Sequence, residues 1–156
     1  MNQTRRNLLQ ASGGATVMTL AVSVGLLKAG NLYAQEWNKA AFDTKNLQDT
    51  VKAFGGATAT ESKDIAIASP DIAENGAVVP VSVSSKLGKT ESIAILVEKN
   101  PNALSASFDI PGGTEPFVST RVKMGQTSNV YALVKADGKY FFATKEIKVT
   151  LGGCGG

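Results

Sequence analysis

The sequence predicts a mainly β fold: an immunoglobulin-like antiparallel β-sandwich with an N-terminal helix and a flexible C-terminal Gly-Gly-Cys-Gly-Gly arm. Two observations lead there. From Ile65 onward apolar residues recur with a period of two in short runs, and turn signals separate those runs at regular spacing. Helical spacing is confined to the stretch before Gly55. The chain divides into an export signal at 1–34, a helical segment at 35–56, a sandwich at 57–151 and an arm at 152–156.

Residues 1–34 have the layout of a cleavable export signal. A polar start carries Arg5 and Arg6, an apolar stretch runs from about Leu8 to Leu27, and a short run ends at Ala34. Thr4-Arg5-Arg6-Asn7-Leu8-Leu9 resembles the twin-arginine pattern. Gly13, Gly14, Thr16, Thr19, Ser23 and Gly25 dilute the apolar stretch, which weakens the case for a permanent span of ~20 strongly apolar residues. A general secretory signal and an uncleaved anchor are the alternatives; no cysteine lies nearby to make a lipoprotein. Cleavage after Ala34 leaves about 122 residues in the bacterial periplasm. The twin-arginine route carries folded cargo, which suits a protein exported already docked to a partner that lacks a signal.

In the helical segment Leu47, Val51 and Phe54 fall at spacings of four and three and form one apolar face. Thr44 or Asp43 is expected to cap its second part, and Gly55-Gly56 to stop it. Six or seven strands follow. Val79, Val81 and Val83 share one face, as do Ile93, Ile95 and Val97, then Leu104, Ala106, Phe108 and Ile110, then Val118, Thr120, Val122 and Met124. Glu74-Asn75-Gly76, Leu87-Gly88-Lys89, Asn100-Pro101-Asn102 and Pro111-Gly112-Gly113 mark the turns, and Asp137-Gly138 marks a tight hairpin. Pro80 indicates an edge position or a strand start. From Ser128 to Ala136 both faces are apolar, so this strand is either central under the helix or covered by a partner. In the last strand Phe141, Ala143, Ile147, Val149 and Leu151 share a face, making Leu151 the last side chain with a core to hold it.

Composition removes most chemistries. Arg5, Arg6 and Lys28 are the only charges before residue 35. Taking them from the 16 basic side chains leaves 13 against 13 acidic ones, so the body has no basic field for phosphates. There is no histidine, which excludes His-activated nucleophiles and His-ligated metals. One cysteine and, past the signal, one methionine make soft-metal sites implausible. An independent enzyme is therefore disfavoured.

The single cysteine, Cys154, is third from the end, between Gly152-Gly153 and Gly155-Gly156. Glycine gives the thinnest and most flexible backbone, so this segment reads as a tether that a narrow channel can admit. No neighbouring cation activates the thiol, and at a pKa of about 8.5 only a few per cent is thiolate at neutral pH. That is a poor independent nucleophile but a reasonable handle for other active sites. Prenylation needs a cysteine fourth from the end; an intermolecular disulfide and a disordered tail with an accidental cysteine are the remaining alternatives. Arg121 points outward, either a solvated charge or a contact for a partner or an anionic adduct.

Lys148-Val149-Thr150-Leu151-Gly152-Gly153-Cys154-Gly155-Gly156 resembles the C-terminal signature of the SoxY family, the sulfur-carrier subunits of the periplasmic Sox thiosulfate-oxidising system. Ile72-Ala73-Glu74-Asn75-Gly76-Ala77-Val78-Val79-Pro80-Val81 and Val118-Ser119-Thr120-Arg121-Val122-Lys123 are similar to two further stretches of that family, and the twin-arginine leader and the Trp37-containing helix fit it. The resemblance implies a heterodimer of an immunoglobulin-like SoxY with a smaller, signal-less SoxZ-type subunit. It implies covalent attachment of sulfur at Cys154, with no cofactor on this chain. A haem-containing conjugating enzyme, a sulfate-releasing hydrolase and a sulfane-oxidising enzyme would act in turn on that thiol. The alternative is an immunoglobulin-like interaction protein that uses Cys154 for an intermolecular disulfide.

Overall fold

The computed structural model describes residues 38–150. The export signal with Arg5 and Arg6, Trp37, Leu151 and the arm from Gly152 through Cys154 to Gly156 lie outside the described residues.

The helical segment is two short helices. Asn38 opens α1 (Lys39–Phe42), its side-chain oxygen accepting from the Ala41 amide at 3.1 Å. Asn46 opens α2 (Leu47–Ala53) in the same way, accepting from the Asp49 amide at 2.8 Å. The expectation that Thr44 or Asp43 caps α2 is corrected. Asp43 closes α1, while Thr44 is buried, donating from its hydroxyl to Ala41 O and lying 2.6 Å from the Thr50 hydroxyl. With its proton given to Ala41 O, the Thr44 hydroxyl can accept from Thr50, so Thr44 is committed inward and the cap falls to Asn46. Gly55-Gly56 does stop α2. Gly55 takes φ +84° while Gly56 N donates to Val51 O and Gly55 N to Lys52 O, both at 2.9 Å.

Nine strands follow among the described residues: β1 (Ala59–Glu61), β2 (Ile65–Ala68), β3 (Ile72–Ala73), β4 (Val79–Ser85), β5 (Thr90–Val97), β6 (Leu104–Asp109), β7 (Phe117–Val122), β8 (Ser128–Ala136) and β9 (Lys139–Val149). They form a two-sheet sandwich. The larger sheet runs β1-β9-β8-β5-β6, with β3 also on β9, and the smaller runs β2-β4-β7. Pairing is antiparallel except that β1 and β3 run parallel to β9. These two strands, three and two residues long, are too short for a period to register in the sequence. Together they cover the β9 edge that an antiparallel meander would leave bare.

Val79, Val81 and Val83 of the smaller sheet pack against Ile93, Ile95, Val97, Val130, Ala132, Val134 and Ile147 of the larger. A second core lies on the far side of the larger sheet, where Ala94, Leu96, Leu133 and Tyr140 meet Ala41 and Val51 of the helices. β8 is therefore a central strand with the helices over its second face. β5 is buried on both faces from Ile93 to Val97 for the same reason.

One predicted face is broken. Leu104 does not lie with Ala106 and Phe108: the register passes from Ile95↔Ala106 to Leu96↔Leu104, and this bulge turns Leu104 to the helix side. One extra residue flips every side chain beyond it. Pro80 is the second residue of β4, and the β2 ladder begins only at Ser82, so Pro80 has β7 alone beside it, at Arg121. Asp137 and Gly138 take φ 50° and 72°, closing the tight β8–β9 hairpin.

Candidate functional site

The residue predicted to carry chemistry, Cys154, grows from the end of β9, so the geometry there decides what the arm can do. The β8 backbone pairs with β9 only as far as Ser128↔Ile147. A strand end beyond that point has no partner from the meander. Yet each of the next three amides is held. Lys148 N donates to Asp71 O at 2.9 Å and Thr150 N to Ala73 O at 3.1 Å, both toward β3. Val149 N, which points to the opposite edge, donates to the Thr127 hydroxyl at 3.0 Å. The alternation follows from the pleat, which sends successive N–H groups to opposite sides of a strand.

The segment carrying β3 is fixed by the turn after it. Asn75 Oδ1 accepts from Ala77 N at 2.9 Å and Asn75 O from Val78 N at 3.3 Å. Gly76 O accepts from Met124 N at 2.7 Å. Glycine is required here by space: a Cβ would meet the Met124 carbonyl and come within 2.8 Å of Val149 Cγ1. Before β3, Lys145 Nζ donates to Ser69 O at 2.6 Å and pairs with the Asp71 carboxylate at 2.9 Å. Asp71 is 88% exposed, so that ion pair adds little beyond its orientation. Ile72 and Val78, on the same segment, are exposed apolar side chains.

Reach follows from this root. Cys154 is four residues past Thr150, the last described residue, so chain length alone keeps it within ~14 Å of it at ~3.3–3.6 Å per residue. A cleft of about 320 Å³ lined by Gly55, Gly56, Thr58, Gly138, Lys139 and Tyr140 sits at the other end of β9. The strand from Phe141 to Val149 puts roughly 26 Å between them. The cleft is out of reach of its own arm.

The groups with displaced protonation also lie away from the root. Hydrogen bonds from Lys135 (2.7 Å) and from Gly138 N (2.9 Å) hold the Glu91 carboxyl below its ordinary range, and Glu91 in turn raises Lys135. These bonds brace the β8–β9 hairpin. Burial chiefly raises Tyr140, whose hydroxyl donates to Phe54 O at 2.8 Å. Burial, and then Glu98, raise Tyr131, whose hydroxyl lies 3.3 Å from Glu98 Oε1. Arg121 is exposed on β7 and has no ion pair among the described residues. No group of three or more possible metal ligands occurs among the described residues, and no helix among them is long and apolar enough to cross a membrane.

Sequence reasoning named the arm but not what holds its root. Thr127 carried no signal, because a threonine before a strand is common. Asn75-Gly76 was legible as a turn, but the close approach that demands glycine depends on Met124 and Val149, far away in sequence.

Comparison with known proteins bears on the whole domain. The family described as sulfur oxidation protein SoxY matches residues 50–154. The solved structure of the sulfur carrier protein SoxY from Chlorobium limicola f thiosulfatophilum is similar at 40% identity with a TM-score of 0.59, over 65% of this chain and 92% of that one. A superoxide reductase (neelaredoxin) from Ignicoccus hospitalis is similar at 24% identity and a TM-score of 0.49, over 58% of this chain and 82% of that one. No curated protein sequence matches significantly. With the family match running from α2 through every strand of the sandwich to Cys154, the chain belongs to the SoxY family of sulfur oxidation proteins.

Proposed function

We propose that this chain is a periplasmic sulfur carrier that holds thiosulfate-derived intermediates covalently on Cys154 and presents them to the enzymes of a Sox system. The observation that carries the reading is the fastening at the end of β9, immediately before the glycine-flanked cysteine in sequence. The backbone is fastened on both edges up to Thr150, and the next four residues bring Gly152, Gly153 and the only thiol. The family match and the name of the Chlorobium relative support it.

The chemistry balances as follows. The Cys154 thiol and thiosulfate join through a new S–S bond, releasing one proton and two electrons to a haem-containing conjugating enzyme. Water then cleaves the bond between the sulfane and sulfone sulfurs, giving sulfate, a persulfide on Cys154 and one proton. A sulfane-oxidising enzyme removes six electrons from the persulfide as three waters supply oxygen, leaving an S-sulfonate. A second hydrolysis returns the thiol and a second sulfate. The carrier supplies no acid, base or metal in this scheme and carries no cofactor. It works beside a SoxZ-type subunit, with which it is exported by the twin-arginine route. Arg5 and Arg6 direct that export.

Intact mass of the mature protein from cells grown with and without thiosulfate, before and after reductant, tests the reading. Sulfur-sized additions, lost on reduction and absent from Cys154→Ser, are expected. A thiol found only free or in a disulfide to another protein would refute the carrier and leave an interaction protein.

A further inference from the structure

We propose that Thr127 and the segment from Asp71 to Gly76 form a latch that fixes where the arm leaves the domain, with Thr127 and Gly76 as positioning residues for the reactions of Cys154. The functional half of this proposal rests on the carrier reading; the structural half does not.

Three features build the latch. β3 is only two residues long and contributes to the sheet solely by pairing with Lys148 and Val149. Its flanking carbonyl from Asp71 and its own from Ala73 take the Lys148 and Thr150 amides, and Thr127 takes the amide between them with a side chain where the β8 backbone has ended. The turn that follows is locked against Met124 through Gly76, whose missing Cβ is what lets Val149 lie beside it. Two independent stretches, near residue 75 and near residue 125, thus converge on three consecutive amides at the root.

The consequence is a defined arm length. With the latch closed, four residues separate Thr150 from Cys154; with residues 148–150 released, seven separate Ile147 from it, adding ~10 Å of reach. A longer tether dilutes its end, roughly as the −3/2 power of length, so the thiol's effective concentration at an enzyme's channel mouth falls about two- to threefold. Once the thiol is seated, the chemistry is unchanged. Loosening the latch therefore raises KM for the carrier and spares kcat.

The experiment compares wild type with Thr127→Val, Thr127→Ser and Gly76→Ala. Hydrogen exchange is measured at the amides of residues 148–150. Thiosulfate conjugation to Cys154 is followed with the haem-containing conjugating enzyme as carrier concentration varies. Thr127→Val is expected to speed exchange at Val149 about fivefold, for the loss of one ordinary hydrogen bond. It is also expected to raise KM, by at most roughly the two- to threefold of full release, at constant kcat, with Thr127→Ser restoring both. Gly76→Ala gives the same direction by prising residues 75–77 from Val149. Unchanged exchange in both Thr127→Val and Gly76→Ala overturns the latch. Faster exchange with an unchanged KM overturns the positioning role. If wild-type Cys154 takes up no sulfur at all, the carrier reading and the positioning role fall together, while exchange still decides the latch.

Discussion

Deleting Gly152 and Gly153 tests whether the thiol must travel. Because the Thr150 amide is held by Ala73 O, the deletion cannot be made up by peeling the strand without breaking that bond. It shortens the reach from Thr150 to the cysteine from ~14 Å to ~7 Å. A misplacement of about 1 Å already costs reactions between positioned groups on the order of a hundredfold. A loss of ~7 Å is expected to lower kcat/KM for enzymatic conjugation of thiosulfate by at least about a hundredfold. The assay pairs that rate with the rate of reaction of the same thiol with a small soluble disulfide, which needs no reach and is expected to change less than about twofold. Thermal unfolding is expected to be unaffected, since the described core and its backbone bonds are all formed by residues before the deletion. Conjugation at the wild-type rate in the shortened protein would mean that the enzyme meets the cysteine at the domain surface, and the case for a reaching arm would collapse.

Three further outcomes follow from the scaffold. Asn46→Ala removes the cap of α2, exposing the Asp49 amide, and is expected to cost about 1 kcal/mol in chemical denaturation. Leu96→Ala empties a fully buried site between the larger sheet and the helices and is expected to cost about 2–5 kcal/mol, with Cys154 reacting normally with a small disulfide. Glu91→Gln removes the brace on the β8–β9 hairpin. The Glu91 pKa is lowered on folding, so its contribution is present above the unfolded carboxylate pKa and is lost as pH falls through the folded value. The variant should therefore melt below wild type at neutral pH and converge with it in acid. Lys135, raised on folding, contributes below the ordinary lysine pKa and loses that contribution as pH rises through its folded value, so the two should also converge in strong alkali.

What could be read in the sequence, and what could not, divides by range. The Asp137-Gly138 hairpin, the Gly55 stop and the inward faces of β4 and β9 are set by residues that are neighbours in the chain, and the sequence shows them. The flip at Leu104 depends on which residue of β5 lies opposite, and period alone carries no register. The cap at Asn46 instead of Thr44 was decided by a contact with Thr50 across a helix turn. β1 and β3 exist because β9 offers an edge, not because of their own propensity. For the candidate site, the arm is a reading from sequence alone, since glycines and a lone cysteine need no context. Its latch was not, since it joins stretches some fifty residues apart in sequence.

On the carrier reading proposed above, a scaffold fastened at its edges and an arm of glycines around one cysteine would divide one task between two parts. An enzyme that acts on the thiol has to exclude water and surround the reacting sulfur with its own groups, so whatever carries that sulfur must be narrow and contribute no bulk. Glycine meets that demand but gives up all control of direction. Control must then come from the last point at which backbone is fastened, and every ångström of slack there spreads the thiol over a larger volume. If Cys154 is the carrier thiol, the fastening of Lys148, Val149 and Thr150 would then bear on catalysis by the partner although none of these residues carries a reactive group. On that reading the latch would specify where the thiol can be, and the partner's active site would specify what happens to it.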